Sequence, residues 1–218
     1  MKELEIYPSF DTAPRKVYVA DSPIDFETWL DLAQTLDTEL HRGVIVDRMA
    51  AQYSHEWILR WFSIALGGYV TRRKLGKTLG SRTAVKISTN DGRLPDLLFV
   101  RAENVAIISE DAIRGVPDLV IEITSKNDRP SDLIPLEADY RTLGVGEIVF
   151  IDPRKKRVRL LRKNGVGDYD EEIVTAGRVA FVSVSGFHFE AEWLFVDDMP
   201  DPISVAQDLS VEVGEGSG

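Results

Sequence analysis

Apolar residues recur along the chain with two different spacings. Helical spacing, in which apolar positions return every three or four residues, predicts a helix starting near residue 26 and further helices at 54–75 and 131–143. Apolar or alternating runs predict strands at 43–49, 83–88, 94–100, 116–124, 147–152 and 158–162. The central order of helix, three strands, helix and strand predicts an α/β (α+β) sandwich, with an αβββαβ core and helices flanking a mixed central sheet.

A single domain is predicted to span residues 1–196. With 218 residues, of which 44% are hydrophobic and 28% charged, the chain is long enough to bury a substantial core. Residues 197–218 are acidic, poor in aromatic side chains and end in EGSG. We therefore expect them to form a loosely ordered C-terminal tail.

Two of the predicted strands begin with Pro-Asp, at residues 95–100 (PDLLFV) and 117–126 (PDLVIEITSK). Alternate residues of a strand share one face, so Asp118 and Glu122 point to one side while the other side is apolar throughout. An unpaired buried charge costs several kcal/mol or shifts its pKa until it is neutral. Glu122, in the middle of VIEIT, therefore needs a partner from elsewhere in the fold, which a structural or a functional role could supply.

The pairing of these two strands decides which carboxylates meet. Antiparallel neighbours would bring Asp96 beside Glu122 and leave Asp118 at the far end, where it could accept backbone or basic partners. Parallel neighbours would instead bring Asp96 beside Asp118. The antiparallel arrangement forms a carboxylate pair that could bind a hard divalent cation such as Mg²⁺ or Mn²⁺.

Composition and charge narrow the function classes. The absence of cysteine excludes a disulfide framework, a thiolate zinc site and a cysteine nucleophile. The formal net charge of -10 argues against a general polyanion binder, because phosphate backbones are attracted to basic surfaces. The sequence starts without a basic segment followed by an apolar run, and no window approaches 18 apolar residues, so we expect a cytoplasmic protein that does not enter the membrane.

At these residues the chain resembles the Uma-type restriction endonuclease family of the PD-(D/E)XK nuclease superfamily. In this superfamily an acid at the start of one strand is followed, on the next strand, by a Glu or Asp two residues before a lysine. The resemblance covers roughly residues 26–193 and is carried by an ordered set of stretches at 38–49, 81–100, 115–126, 139–153 and 156–164.

The resemblance implies a restriction endonuclease-like fold and Mg²⁺-dependent hydrolysis of phosphodiester bonds in DNA. It also implies that Asp96 and Glu122 are metal ligands and that Glu39 is a supporting acid. By analogy with restriction enzymes that cut both strands, a homodimer is expected.

The chain departs from the family pattern at the lysine. Thr124 occupies the lysine position of E-x-K, and Leu136 occupies the helix position to which the lysine has moved in some families. Lys126 is the first candidate to replace it, because its long side chain could reach back toward the metal, and Lys86 is the second.

Two other functions therefore stay open. One is a nuclease-fold module that binds nucleic acid or protein but has lost catalysis, and Leu136 is its best support. The other is a glycoside hydrolase in which paired carboxylates act as acid and base without a metal.

Overall fold

The computed structural model describes residues 2–6, 15–33, 37–48, 52–80, 82–125, 128 and 130–215. Within this part the α-helices are α1 (Phe26–Ala33), α2 (Tyr53–Arg73), α3 (Pro130–Leu143) and α4 (Pro202–Glu215). Short 3-10 helices lie at Ala102–Ile107 and Ala191–Phe195. The helices predicted near residue 26 and at 54–75 and 131–143 are thus confirmed. No helix in the described ranges is long and apolar enough to cross a membrane.

In the described part of the chain the strands form two large sheets and one small one. The seven-stranded sheet has the order β1-β2-β4-β3-β7-β6-β9, the six-stranded sheet the order β13-β12-β11-β10-β8-β5, and β14 pairs with β15. The strands are β1 (Lys2–Ile6), β2 (Arg15–Val19), β3 (Thr38–His41), β4 (Val44–Asp47), β5 (Gly76–Gly80), β6 (Ala84–Lys86), β7 (Gly92–Arg93), β8 (Leu97–Arg101), β9 (Ala112–Ile113), β10 (Leu119–Ile123), β11 (Glu147–Asp152), β12 (Arg157–Lys163), β13 (Tyr169–Val174), β14 (Arg178–Ala180) and β15 (His188–Glu190).

The six-stranded sheet is the mixed sheet that the sequence predicts. Strand β10 runs parallel to β11, while β8 and β10 run antiparallel, with Leu97 opposite Ile121. A parallel pair needs a crossover connection, and α3 supplies it between β10 and β11. The α/β prediction and the antiparallel pairing that favours an Asp96–Glu122 pair are both confirmed.

Both faces of β10 are buried, which explains its nearly continuous apolar sequence. Leu119, Ile121 and Ile123 pack in one cluster with residues of α2, whereas Val120 packs in a second cluster with Tyr140 of α3. The sequence of a strand that is buried on both faces is a nearly continuous apolar run, without alternation of apolar and polar residues. Glu122 shares the face of Val120, so its carboxylate is directed into the buried layer between the sheet and α3.

The C-terminal segment corrects one expectation. Instead of a loosely ordered tail, residues 202–215 form α4, whose Ala206 and Leu209 are 2% and 6% exposed in the core cluster of α2. A Cβ at Gly68 of α2 would lie 3.2 Å from the Cβ of Ala206, so the two helices approach closely. The acidic composition hid the apolar residues three positions apart that hold the helix in place.

Candidate active site

A polar pocket of about 390 Å³ opens at the C-terminal end of β10. Both large sheets and the helices α2 and α3 contribute to its walls. Among the described residues, eight carboxylates and three arginines line the pocket: Asp37, Glu39, Asp47, Glu56, Asp96, Glu122, Asp128 and Asp132, with Arg48, Arg82 and Arg93. This excess of carboxylates makes the pocket attractive to cations.

Asp96 is held in place immediately before β8. Its Oδ2 accepts the backbone N–H of Ile123 at 2.8 Å and a hydrogen bond from His55 Nε2 at 2.9 Å. Nη2 of Arg48 lies 3.4 Å from its Oδ1. The side chain is buried, and the antiparallel register continues from the Leu97–Ile121 pair to place Asp96 opposite Glu122.

Glu122 is the fourth residue of β10 and is 8% exposed. Burial raises its pKa well above the usual value, and repulsion from Asp96 raises the pKa further. The Tyr140 hydroxyl donates a 2.6 Å hydrogen bond to Glu122 Oε1, which lowers the pKa but does not offset the other two effects. The raised pKa means that Glu122 holds a proton more readily than a free carboxyl group does, so full ionisation of the buried pair is costly.

Glu39, on β3, lies in the same pocket. His41 Nε2 is 3.0 Å and Arg93 Nη1 is 3.1 Å from its Oε2. Burial would raise the pKa of Glu39, but the hydrogen bond with His41 and the charges of Arg93 and Arg48 outweigh burial and lower the pKa to about 2. The structure thus places Glu39 with Asp96 and Glu122, as an ionised carboxylate held by arginine.

Arg93, on β7, links three elements around the pocket, and the sequence analysis missed it. It is 2% exposed, contacts Glu39 and His41 of β3, and donates from Nε to Asp139 Oδ2 of α3 at 2.8 Å. The turn residues Asn90, Asp91 and Gly92 directly before it hide its burial, so no local pattern of the sequence could have found it. A charge inside a buried strand needs a partner, by the same logic that singles out Glu122.

The site also contains Arg48, His55 and Tyr140, which come from distant parts of the chain. Arg48 follows β4, and although burial opposes its charge, the carboxylates of Glu39 and Asp96 raise its pKa. For His55 likewise, burial opposes protonation, but the hydrogen bond and charge of Asp96 outweigh it and raise the pKa. Neither Arg48 nor Tyr140 carried a local sequence signal, because their roles depend on contacts with residues far along the chain.

The remaining predicted residues divide by location. Asp118 lies at the opposite end of β10, where it accepts the backbone N–H of Arg101 at 2.8 Å and the Asn104 side chain at 3.0 Å. It does not line the pocket. Lys86 Nζ is 2.7 Å from Glu27 Oε1 and also lies outside the pocket wall. The structure therefore brings neither Asp118 nor Lys86 to the Asp96–Glu122 pair.

The two positions at which the chain departs from the family pattern do reach the pocket. Thr124 and Leu136 both line it, and Thr124 Oγ1 donates to the carbonyl of Ile151 at 3.3 Å. Lys126 lies outside the described residues. Among the described residues that line the pocket, the candidates for the role of the lysine are therefore the arginines Arg48, Arg82 and Arg93.

The Asp96–Glu122 pair fits a divalent cation that keeps several of its waters better than an ion enclosed entirely by protein ligands. The described ranges contain no cluster of three or more His, Cys, Asp or Glu side chains arranged to hold an ion. Mg²⁺, however, is commonly bound by one or two carboxylates while it keeps several waters. Two opposed, buried carboxylates that repel each other are a donor set of this kind.

Comparison with known proteins defines the class. The fold is similar to the crystal structure of a "putative nuclease belonging to DUF820" from Anabaena variabilis, with a TM-score of 0.67 at 18% identity over 79% of this chain and 98% of that chain. The fold is therefore restriction endonuclease-like. The family model described as "Uma2: Putative restriction endonuclease" matches residues 24–194, so the chain belongs to the Uma2 family. A search of curated proteins gives no match.

Proposed function

We propose that this chain is a metal-dependent endonuclease that hydrolyses phosphodiester bonds in DNA. The observation that supports the proposal most directly is the buried pair of Asp96 and Glu122, in which burial and mutual repulsion raise the pKa of Glu122. Keeping such a pair without a cation costs free energy, and a bound cation would remove that cost. Membership of the Uma2 family supports hydrolysis of nucleic acid as the reaction.

In this proposal Asp96 and Glu122 hold Mg²⁺ or Mn²⁺, which when bound supplies positive charge to the phosphate and activates water. The chain's own contribution is positioning. His55 and the Ile123 amide fix one oxygen of Asp96, and Tyr140 fixes one oxygen of Glu122. These contacts hold the carboxylates in place before the substrate arrives.

The proposal departs from the family pattern in the positive side chain that assists catalysis, because it assigns this role to an arginine where the family has a lysine. Arg48 is 24% exposed and lies 3.4 Å from Asp96, so its guanidinium can contact the phosphate at the pocket. Lys126 stays a sequence-based candidate for the same task. Lys86 is a poorer candidate because it pairs with Glu27 outside the pocket.

Nicking of supercoiled plasmid tests the proposal. Purified protein is incubated with Mg²⁺, Mn²⁺ or EDTA, beside Asp96→Ala, Glu122→Ala and the control Glu103→Ala, which alters an exposed carboxylate on the 3-10 helix after β8. Circular dichroism checks that each variant is folded. We expect metal-dependent nicking by the wild type and Glu103→Ala, and none by the other two variants.

One observation favours a second candidate, a module that binds nucleic acid without cutting it. Thr124 and Leu136 line the pocket at the positions where the family pattern has lysine. Folded wild-type protein that binds DNA but nicks it with neither metal would support this module and contradict the endonuclease. Hydrolysis that persists in EDTA would contradict metal dependence itself.

A further inference from the structure

Two exposed aromatic side chains lie together at the start of α2. Tyr53 and Trp57 are one helical turn apart, their ring centroids are separated by 6.0 Å, and their ring planes differ by 13°. Tyr53 is 78% exposed and Trp57 is 38% exposed, whereas Trp61 and Phe62 of the same helix are buried in the core. Core packing therefore explains Trp61 and Phe62 but not Tyr53 and Trp57.

The exposed pair lies next to the candidate active site. His55 and Glu56, from the same turn of α2, line the pocket. Tyr53 and Trp57 occupy the adjoining face of the helix, together with the exposed Arg60. Because an α-helix with its side chains is about 10–12 Å across, the aromatic rings lie about one helix diameter or less from the pocket wall.

We propose that Tyr53 and Trp57 form a stacking platform for unpaired bases of a nucleic acid whose backbone enters the pocket. The proposal rests on the proposed nuclease function and names its substrate class: single-stranded nucleic acid, or duplex with a locally unpaired segment. Every base has a flat π-face, so stacking on aromatic side chains is tolerant of sequence. Bases inside a duplex are already stacked on each other and cannot use the platform without unpairing.

Arg60 adds the charge that such a strand requires. Its exposed guanidinium lies on the same helix face, three residues after Trp57, where it can contact a phosphate or stack on a base. A positive group is needed here because the neighbouring pocket is rich in carboxylates, which repel a phosphate backbone unless a cation intervenes. The aromatic pair and Arg60 thus form a binding surface continuous with the pocket.

The size of the surface favours a nucleotide over a second protein as its occupant. A stable protein–protein interface takes about 800 Å² from each partner. Two aromatic rings and one arginine side chain provide much less than that, but they match one or two bases and a phosphate. Self-association through this face is the alternative that the experiment below also examines.

Binding of oligonucleotides separates these possibilities. Fluorescein-labelled phosphorothioate oligonucleotides, which resist hydrolysis, are titrated with protein in Mg²⁺ as single-stranded DNA, single-stranded RNA and DNA duplex of one sequence, and anisotropy is measured. The variants are Tyr53→Ala, Trp57→Ala and Trp57→Phe, with Val166→Ala as a control at an exposed apolar residue in the β12–β13 connection.

We expect Tyr53→Ala and Trp57→Ala each to weaken binding of the single strands about tenfold, the loss of one stacked base. Duplex binding should change less than about twofold, and Trp57→Phe and Val166→Ala should bind single strands nearly as the wild type does. The ratio of DNA to RNA affinity identifies which nucleic acid the platform prefers.

Several outcomes would overturn the platform. Alanine variants that bind single strands as tightly as the wild type, or that lose single-strand and duplex binding equally, contradict it. So does a change of oligomeric state on gel filtration with unchanged oligonucleotide binding, which would assign the face to self-association. If the wild type nicks plasmid while the alanine variants bind single strands as tightly as the wild type, the platform alone is refuted; if binding depends on the aromatic pair but no nicking occurs, the endonuclease alone is refuted.

Discussion

The two ends of β10 both carry carboxylates, and they differ in how the negative charge is balanced. At the N-terminal end Asp118 accepts hydrogen bonds from Arg101 and Asn104. Beside it, Glu147 of β11 is 1% exposed and accepts Arg162 Nε at 3.0 Å and the Ser183 N–H at 2.9 Å. At the C-terminal end Glu122 accepts a neutral hydroxyl, and its pKa stays well above the usual value because of burial and Asp96.

The difference separates carboxylates that hold the fold together from carboxylates that we propose bind a metal ion. Asp118 and Glu147 receive donors matched to their charge, so their removal should affect folding. Asp96 has His55 and Arg48 beside it, whereas Glu122 accepts a neutral hydroxyl and faces Asp96, so in the proposed function the removal of either carboxylate should affect chemistry. The sequence shows acids at both ends and cannot show this difference, because the donors come from distant residues.

The largest expected effect comes from removing the charge of Glu122. Glu122→Gln keeps the shape and can still accept the Tyr140 hydrogen bond, but it removes the charge of the proposed metal ligand. A bound metal supplies several kcal/mol of transition-state stabilisation, so the nicking rate in Mg²⁺ should fall by about 10³-fold. Nicking within tenfold of the wild type would show that Glu122 is not a ligand.

Beside the other end of β10, on β11, Glu147→Ala should destabilise the fold and leave the nicking activity nearly unchanged. The substitution leaves Arg162 and the backbone amides of Val182 and Ser183 without their carboxylate, which should lower the free energy of unfolding by about 3 kcal/mol. Urea denaturation measures the loss. Nicking per folded molecule should remain within about twofold, and a much larger loss would mean that the two ends are coupled.

Arg48→Ala tests the cation beside the carboxylate pair. Removing a charged donor from a phosphate in an active site costs about 10²-fold in rate, and we expect a loss of this size in the nicking assay. Arg48→Lys should recover part of the activity because the charge returns without the planar fork. A decrease confined to thermal stability, with unchanged nicking, would assign Arg48 to holding Glu39 and Asp96.

Glu122 should also make stability depend on pH in the metal-free protein. Because its pKa is raised in the folded state, its ionisation destabilises the fold, and this cost is absent below about pH 4.5 and develops as the pH rises toward the folded pKa. In EDTA, Glu122→Gln should therefore melt at a higher temperature than the wild type at pH 8, and the gap should close near pH 4.5. Equal melting temperatures at both pH values would contradict the raised pKa.

The smallest effect is expected at Lys86. Its ammonium pairs with Glu27 and lies 5.2 Å from the centre of the Phe26 ring, away from the pocket. Lys86→Ala should change the nicking rate less than about twofold. A loss of tenfold or more would restore Lys86 as a catalytic candidate and would require the β6 region to move on substrate binding.

Much of the central fold could be predicted because its signals are local. The helix α2 and the strands β10, β11 and β12 are marked by their own apolar spacing, and they form as predicted. Strands of two or three residues, such as β7 and β9, are defined by their partners rather than by a pattern of their own. Sequence periodicity therefore could not find them.

The site could be predicted where a charge interrupts an apolar run. Glu122 was singled out in this way and Asp96 by the antiparallel pairing of the two strands that begin with Pro-Asp, whereas Glu39 came from the family resemblance. Arg48 and Tyr140 were missed because their partners lie elsewhere: 48 positions separate Arg48 from Asp96, and 18 separate Tyr140 from Glu122. Such contacts depend on the packing of the whole domain.

The buried guanidinium of Arg93 has a consequence for the newly made chain. Its two carboxylate partners, Glu39 and Asp139, lie 54 positions before it and 46 positions after it. Synthesis proceeds from the N-terminus, so Glu39 and Arg93 leave the ribosome well before Asp139 does. The frame of the pocket cannot close until α3 has emerged, so the proposed nuclease activity would become available only after translation has passed residue 143.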